Sequence, residues 1–187
     1  IKDDSFYDLT SQKNIYSAIF YLGNLYYNGD EVERNYDKAI FYFKLAAKEN
    51  NSDALFTLGN IYYYGFGVKI NYTKALKYFE LSAKQNNAKA FLKLGYLYDD
   101  GNGVKQDITK AIKYYELAAE QNESSAILNL VIQFEIKNNN NEKVFYELPP
   151  KLYNGDNLFH IGDTYYFGDN VRKNYEKARY YFELSAE

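Results

Sequence analysis

The sequence predicts an all-α fold, a right-handed α-solenoid superhelix of stacked helical hairpins, and three observations carry that reading. A motif returns every 36 residues: Ala18, Leu22, Gly23, Tyr26 and Gly29 recur as Ala54, Leu58, Gly59, Tyr62 and Gly65, then as Ala90, Leu94, Gly95, Tyr98 and Gly101. A second half-motif keeps step, with Lys38-Ala39, Lys74-Ala75 and Lys110-Ala111 each followed by aromatics and a small pair such as Ala46-Ala47. Within both halves the apolar residues stand three and four apart, the spacing of one helix face. Repetition at such a period marks units that pack only on their neighbours.

Residues 1–14 read as a half-repeat, because Tyr7-Asp8-Leu9-Thr10-Ser11 lies in phase with Phe79-Glu80-Leu81-Ser82-Ala83 of a later second helix. Repeats 1, 2 and 3 span 15–50, 51–86 and 87–122. Their first helices place Ile19, Leu22, Leu25 and Tyr26, or Leu55, Leu58, Ile61 and Tyr62, on one face. Gly23, Gly59, Gly95 and Gly162 fall in mid-helix, where glycine is about 1 kcal/mol less favourable than alanine. The expectation there is a neighbouring helix backbone passing close by. Gly29, Gly65, Gly101 and Gly168 stand three residues after the motif aromatic, as left-handed C-caps do. Second helices start near Tyr36, Tyr72, Ile108 and Tyr175. They bury the phase of Ala39, Tyr42, Phe43, Ala46 and Ala47 and turn Lys44, Glu80, Glu116 and Glu183 to water.

Repeat 4, residues 123–153, is degenerate. Ala126 and Leu130 keep phase, but Val131 replaces the glycine, Phe134 the tyrosine, and the loop Asn138–Asn141 holds no glycine. Pro149 and Pro150 should stop its second helix near Leu148 and bend the array. Repeat 5, residues 154–187, restores the pattern with Ile161, Gly162, Tyr165 and Gly168. Neither end resembles a polar capping repeat, so the array is expected to continue in both directions.

Composition narrows the function classes. An apolar content of 47% over 187 residues excludes a disordered chain. A net charge of −3 without a basic cluster offers no footprint for nucleic acid. No apolar run reaches membrane-spanning length, so direct insertion is not expected. The absence of cysteine excludes disulfides, thiolate metal sites and a cysteine nucleophile, and leaves the compartment open. The wealth of Asn, Lys, Ile and Tyr reads as coding bias toward A and T.

The pattern Ala-x3-Leu-Gly-x2-Tyr-x2-Gly-x-Gly-Val, then Lys-Ala-x2-Tyr-Phe and Ala-Ala, resembles the Sel-1-like repeat, a relative of the 34-residue tetratricopeptide repeat. Gly65-Phe66-Gly67-Val68 and Gly101-Asn102-Gly103-Val104 match its interhelix loop, while Glu31 and Asn170 replace the second glycine in repeats 1 and 5. The resemblance implies a protein-binding scaffold whose first helices line a concave face. By phase that face takes Phe20, Asn24, Tyr27 and Asn28, then Phe56, Asn60, Tyr63 and Tyr64. Repeat 3 adds Leu92, Tyr96, Asp99 and Asp100, and repeat 5 adds Phe159, Asp163, Tyr166 and Phe167. Tyrosine rings cover large areas at little entropic loss, and asparagine amides pair with a peptide backbone. Tetratricopeptide relatives use an asparagine at the phase of Asn24 and Asn60 in that way. Their carboxylate-clamping lysine is replaced here by Phe20 and Phe56. With aromatics at 19%, many of these rings are equally expected to fill core.

Other motifs carry less. His160 is the single histidine, and no Gly-x-Ser-x-Gly elbow accompanies it. Asp99-Asp100-Gly101-Asn102-Gly103 lacks the ligand register and terminal glutamate of a calcium loop. Asn50-Asn51-Ser52, Asn71-Tyr72-Thr73 and Asn122-Glu123-Ser124 are formal glycosylation sequons. No cofactor, metal or catalytic residue is expected. The reading is an adaptor or scaffold that holds a protein or extended peptide, monomeric as this segment. The alternatives are a structural spacer or self-associating segment, and a hydrolase of the cysteine-rich kind associated with β-lactams. The last relies on disulfide-stapled repeats, which a chain without cysteine cannot build.

Overall fold

Asparagine decides where most helices begin. The computed structural model describes residues 4–137, 154–169 and 171–187, with side chains excepted at 4–14, 134, 135 and 137. Among the described residues run nine helices and no strand: α1 Asp4–Asn28, α2 Tyr36–Lys48, α3 Ser52–Tyr64, α4 Tyr72–Ala83, α5 Ala88–Asp100, α6 Ile108–Ala119, α7 Ser124–Lys137, α8 Gly155–Phe167 and α9 Tyr175–Ser185. The side chains of Asn35, Asn51, Asn71, Asn87, Asp107, Asn154 and Asn174 each accept from the backbone N–H three residues on. Each cap satisfies an N–H that the first turn leaves unpaired, an effect of about 1 kcal/mol. At the other end, α3, α5 and α8 stop on left-handed Gly65, Gly101 and Gly168, as the motif predicts. The second helices start at Tyr36, Tyr72, Ile108 and Tyr175, also as predicted.

Helix α1 departs from expectation. It runs unbroken for 25 residues, so no turn separates the half-repeat from the first helix of repeat 1. Elsewhere the repeats are joined by left-handed asparagines, Asn50, Asn86 and Asn122, with φ of 57°, 61° and 62°. Asn14 stands at their phase yet lies inside α1. Ile15 follows it where Asn51 and Asn87 follow Asn50 and Asn86, so no side chain is there to cap a new helix.

The helices fall into two compact units, Ile1–Gln106 with α1 to α5 and Asp107–Glu187 with α6 to α9. In the first, Ala39, Ile40 and Phe43 of α2 form one buried cluster with Leu58 and Ile61 of α3. The second helix of one hairpin thus covers the first helix of the next. A polar stitch adds to the stack: Ser82 Oγ, fully buried on α4, donates to the Ser52 carbonyl at 2.9 Å, and Asn87 Nδ2 donates to Ser52 Oγ at 3.1 Å.

Hairpins 1 (α1 and α2), 2 (α3 and α4) and 5 (α8 and α9) close by one recurring device. A Cβ built on Gly23 would lie 2.6 Å from Phe43 Cε1, on Gly59 2.5 Å from Phe79 Cδ1, and on Gly162 2.6 Å from Phe182 Cδ1. Gly23, Gly59 and Gly162 therefore admit a phenylalanine ring from their own hairpin's second helix, and not a passing backbone as expected. A flat ring fills the notch that a missing side chain leaves, and the gain in contact offsets the poor helix propensity. Beside it, Tyr26 stacks on Tyr42, Tyr62 on Tyr78 and Tyr165 on Tyr181, with centroids 5.8, 5.7 and 6.0 Å apart and planes within 9°. The motif lysines Lys38, Lys74 and Lys177 place their ammonium groups 4.8, 5.1 and 5.3 Å from the first ring of each pair. The N–H of Asn35, Asn71 and Asn174 donates to the carbonyl of that same tyrosine at 2.8, 2.8 and 3.0 Å. The recurring lysine of Lys-Ala is thereby explained by its ring contact, and the alanine by its place in the core, where Ala39, Ala75 and Ala178 are buried.

Gly103, at φ 70°, sits where a Cβ would come 2.6 Å from the Tyr72 carbonyl carbon, so the loop after α5 rests on the start of α4. Gly67 meets Tyr36 in the same way, while Glu31 adopts φ 61° at that phase in hairpin 1 with its side chain exposed. On the outer face of the second helices Lys44 and Glu183 are exposed as expected, whereas Glu80 and Glu116 are half-buried. In α7, Ala126, Leu130 and Val131 are buried. The glycine-free loop 138–141, the stop at Pro149 and Pro150, and Asn170 lie outside the described residues.

Candidate functional site

In unit 1 the predicted first-helix residues collect into a row of rings. Phe20 and Phe56 lean on Phe43 and Phe79, the rings that fill the glycine notches, at 5.7 and 5.8 Å. Tyr27, half-buried, meets Tyr36 at 5.7 Å and Phe66 at 5.9 Å. Phe66 continues to Tyr64 at 5.5 Å, Tyr64 to Tyr63 at 4.8 Å, and Tyr63 to Tyr72 at 5.3 Å. The row therefore crosses from hairpin 1 to hairpin 2 without a gap. Tyr64 keeps 48% of its surface open and Phe66 36%, so the row has a bare side.

On α3, Asn60 Oδ1 is buried and has no hydrogen-bond partner. An unpaired buried amide oxygen is disfavoured by about 1–3 kcal/mol and is relieved by any N–H that reaches it. Asn24, at the same phase, is half-buried. Asn28 is exposed; its Nδ2 donates to Asp30 at 3.0 Å and its carbonyl accepts from Arg34 Nε and Nη2. Its amide is thus engaged within its own loop.

The far end of the row lies on α5. Tyr96 and Asp99 are half-buried and Asp100 is exposed. Leu92, which phase placed on this face, is a correction: only 7% of it is open, because the smaller side chain is covered more fully by its neighbours. Lys93 stands between α3 and α5. Its ammonium lies 5.3, 5.0 and 5.4 Å from the rings of Tyr63, Tyr64 and Tyr96 and donates to Tyr64 Oη at 2.7 Å. Burial, then the charge of Asp100 and the neighbouring tyrosines, push the Tyr63 phenol up to about 12. Burial likewise raises Asp100, with Asp99 adding to it and the Asn102 amide working against it. The Tyr63 phenol consequently stays neutral and available as a donor at ordinary pH.

Unit 2 holds a smaller patch of the same kind. Tyr166 meets Phe167 at 5.1 Å and Tyr175 at 5.5 Å, Phe159 leans on Phe182 at 5.3 Å, and Asp163 is half-buried. Phe159, Tyr166 and Phe167 are all exposed. His160 is exposed on α8, and its carbonyl accepts from Thr164 Oγ1 at 2.9 Å. Asn71, within a sequon, spends its amide oxygen on capping α4.

Sequence reasoning passed over Tyr36, Phe66, Tyr72 and Lys93. Tyr36 and Tyr72 recur at one phase and are legible as a repeated ring. Lys93 has no such signal, because Tyr21, Thr57 and His160 stand at its phase.

Comparison with known proteins agrees with this architecture. A sequence model of the Sel1 repeat matches residues 17–51, 52–87, 88–123 and 158–187. Among solved structures, the chain is similar to a protective antigen of uropathogenic Escherichia coli displaying an SLR fold, at 27% identity and a TM-score of 0.68 over 94% of this chain. It spans 39% of that antigen's length. A Sel1 repeat protein from Oxalobacter formigenes is similar at 28% identity and a TM-score of 0.67, covering 91% of this chain and 72% of its own. Cysteine-rich protein B of Helicobacter pylori matches at 25% identity and a TM-score of 0.51, over 64% of this chain and 92% of its own. A comparison with curated proteins gives no match. Among the described residues no helix is long and apolar enough to cross a membrane.

Proposed function

The chain belongs to the Sel1 repeat family, whose members are generally non-catalytic scaffolds for protein interaction, and we propose that it binds an extended segment of a partner protein along its first helices. The observation that carries this reading is the open row from Tyr27 through Phe66 and Tyr64 to Lys93, which offers rigid rings and polar tips side by side. Such a surface gains contact area with little ordering of its own. Asn24, Asn28, Tyr96 and Asp99 flank the row, and the patch of Asp163, Tyr166 and Phe167 is a second contact of like composition.

Capture of partners from the native source tests it, with Tyr64→Ala/Phe66→Ser as control. Both residues are exposed, so the variant should retain its helical circular dichroism. A partner retained by the parent and lost by this folded variant supports the scaffold. Equal capture by both removes the row from the function.

One observation favours a second reading, a self-associating segment. On α1, Ile15, Tyr21 and Leu22 are 55%, 67% and 40% exposed, an apolar face without cover among the described residues. Sedimentation that stays monomeric over a wide concentration range would dispose of it. The hydrolase alternative implied by the family resemblance relies on disulfide-stapled repeats, and this chain has no cysteine with which to form them.

A further inference from the structure

We propose that Lys93 and Tyr64 form an anchor for one Asp or Glu side chain within the extended segment, an inference that rests on the peptide-binding reading above. The Lys93 ammonium is a placed charge. Three tyrosine rings surround it at 5.0 to 5.4 Å, and Tyr64 Oη accepts one of its three N–H groups. Among the described residues no carboxylate lies within ion-pair reach of it, so two donors remain. Because Tyr64 accepts from Lys93, its own O–H proton points elsewhere and is free to be given. Two donors 2.7 Å apart on an open edge suit the two oxygens of a single carboxylate.

The anchor's position selects a side chain over a chain terminus. Rings continue from it in both directions, to Phe66 and Tyr27 on one side and to Tyr96 on the other. A peptide that ended at Lys93 would leave the Tyr96 ring uncovered, whereas one that passes through covers the rings on both sides. Asp99 and Asp100 close the α5 end and repel further acids, so a single acidic residue with apolar or aromatic neighbours fits and an acidic run does not.

Phage display of random linear peptides on the immobilised chain is the test, run in parallel on Lys93→Met and Lys93→Arg. Binders of the parent should share one Asp or Glu at a fixed place, and changing it to Asn or Gln should weaken binding about tenfold. Lys93→Arg should keep the preference, since it keeps charge and ring contacts, and Lys93→Met should abolish it. Circular dichroism matching the parent shows that each variant is folded. Binders that depend on Tyr64 and Phe66 yet show no acidic preference overturn the anchor while leaving the peptide-binding reading intact. So does a preference that survives in Lys93→Met. If no binder depends on the row, both readings fall together.

Discussion

Hairpins 1 and 2 carry the same residues at the same phase, yet their first helices are buried to different degrees. Ala54, Leu58 and Ile61 of α3 are closed off entirely, while Leu22 of α1 is exposed and Ala18 and Leu25 reach the surface in part or in full. The difference is the neighbour: α2 lies across α3, and nothing among the described residues lies across α1 in that way. Inside each hairpin the two are alike. The ring of Phe43 fills the notch at Gly23 as Phe79 fills that at Gly59, and the Lys–Tyr–Tyr stack is repeated almost to the degree. Closure is a property of the hairpin, and burial of the stacking face is a property of the adjacent hairpin.

The sharpest way to break this comparison is a paired truncation. Leu58→Ala should cost about 3 kcal/mol in denaturant unfolding, and Leu22→Ala less than about 1 kcal/mol, because only the first opens a cavity. Equal losses would show that α1 is covered in solution. Next, Gly59→Ala and Gly23→Ala should each cost about 2 kcal/mol, since both side chains would be driven into a ring held by its own hairpin. A markedly smaller loss at Gly23 would mean that Phe43 can swing toward the open face. Asn71→Ala and Asn35→Ala remove equivalent caps and should each cost about 1 kcal/mol, measured by the same unfolding. Smallest of all, Glu31→Gly should stabilise by about 0.5 kcal/mol, relieving a left-handed residue that hairpin 2 fills with Gly67. No change in the midpoint would show that Glu31 is unstrained.

What was legible in the sequence was local. Helix starts at Tyr36, Tyr72, Ile108 and Tyr175 and left-handed ends at Gly65, Gly101 and Gly168 depend on a few consecutive residues, and the period exposed them. What was not legible depends on rotamers across a hairpin. The mid-helix glycine signalled a close approach, but whether a backbone or a ring makes it turns on the χ angles of Phe43 and Phe79. The asparagines read as compositional bias carry six caps and three left-handed turns, a role visible only once helix boundaries are known. Phase also misplaced Leu92, which is buried where Phe20 and Phe56 at the same phase are half-buried, because the smaller side chain is covered more fully by its neighbours. Lys93 was hidden for another reason: its partners Tyr63 and Tyr64 are 30 and 29 residues away, and no other repeat has a lysine there.

The ring that seats in its own hairpin's glycine notch has a consequence for how such an array changes over generations. Because closure borrows nothing from outside the unit, a duplicated or deleted block of one period arrives with its internal contacts complete and meets neighbours of a shape it already fits. Unequal recombination between near-identical repeats therefore yields foldable products of altered length, and reach can be tuned without redesigning a single contact. A solitary site such as Lys93 fares differently. Copying its repeat copies the charge but not the tyrosines of the repeat before it, so array length can drift freely while the point of specificity stays single.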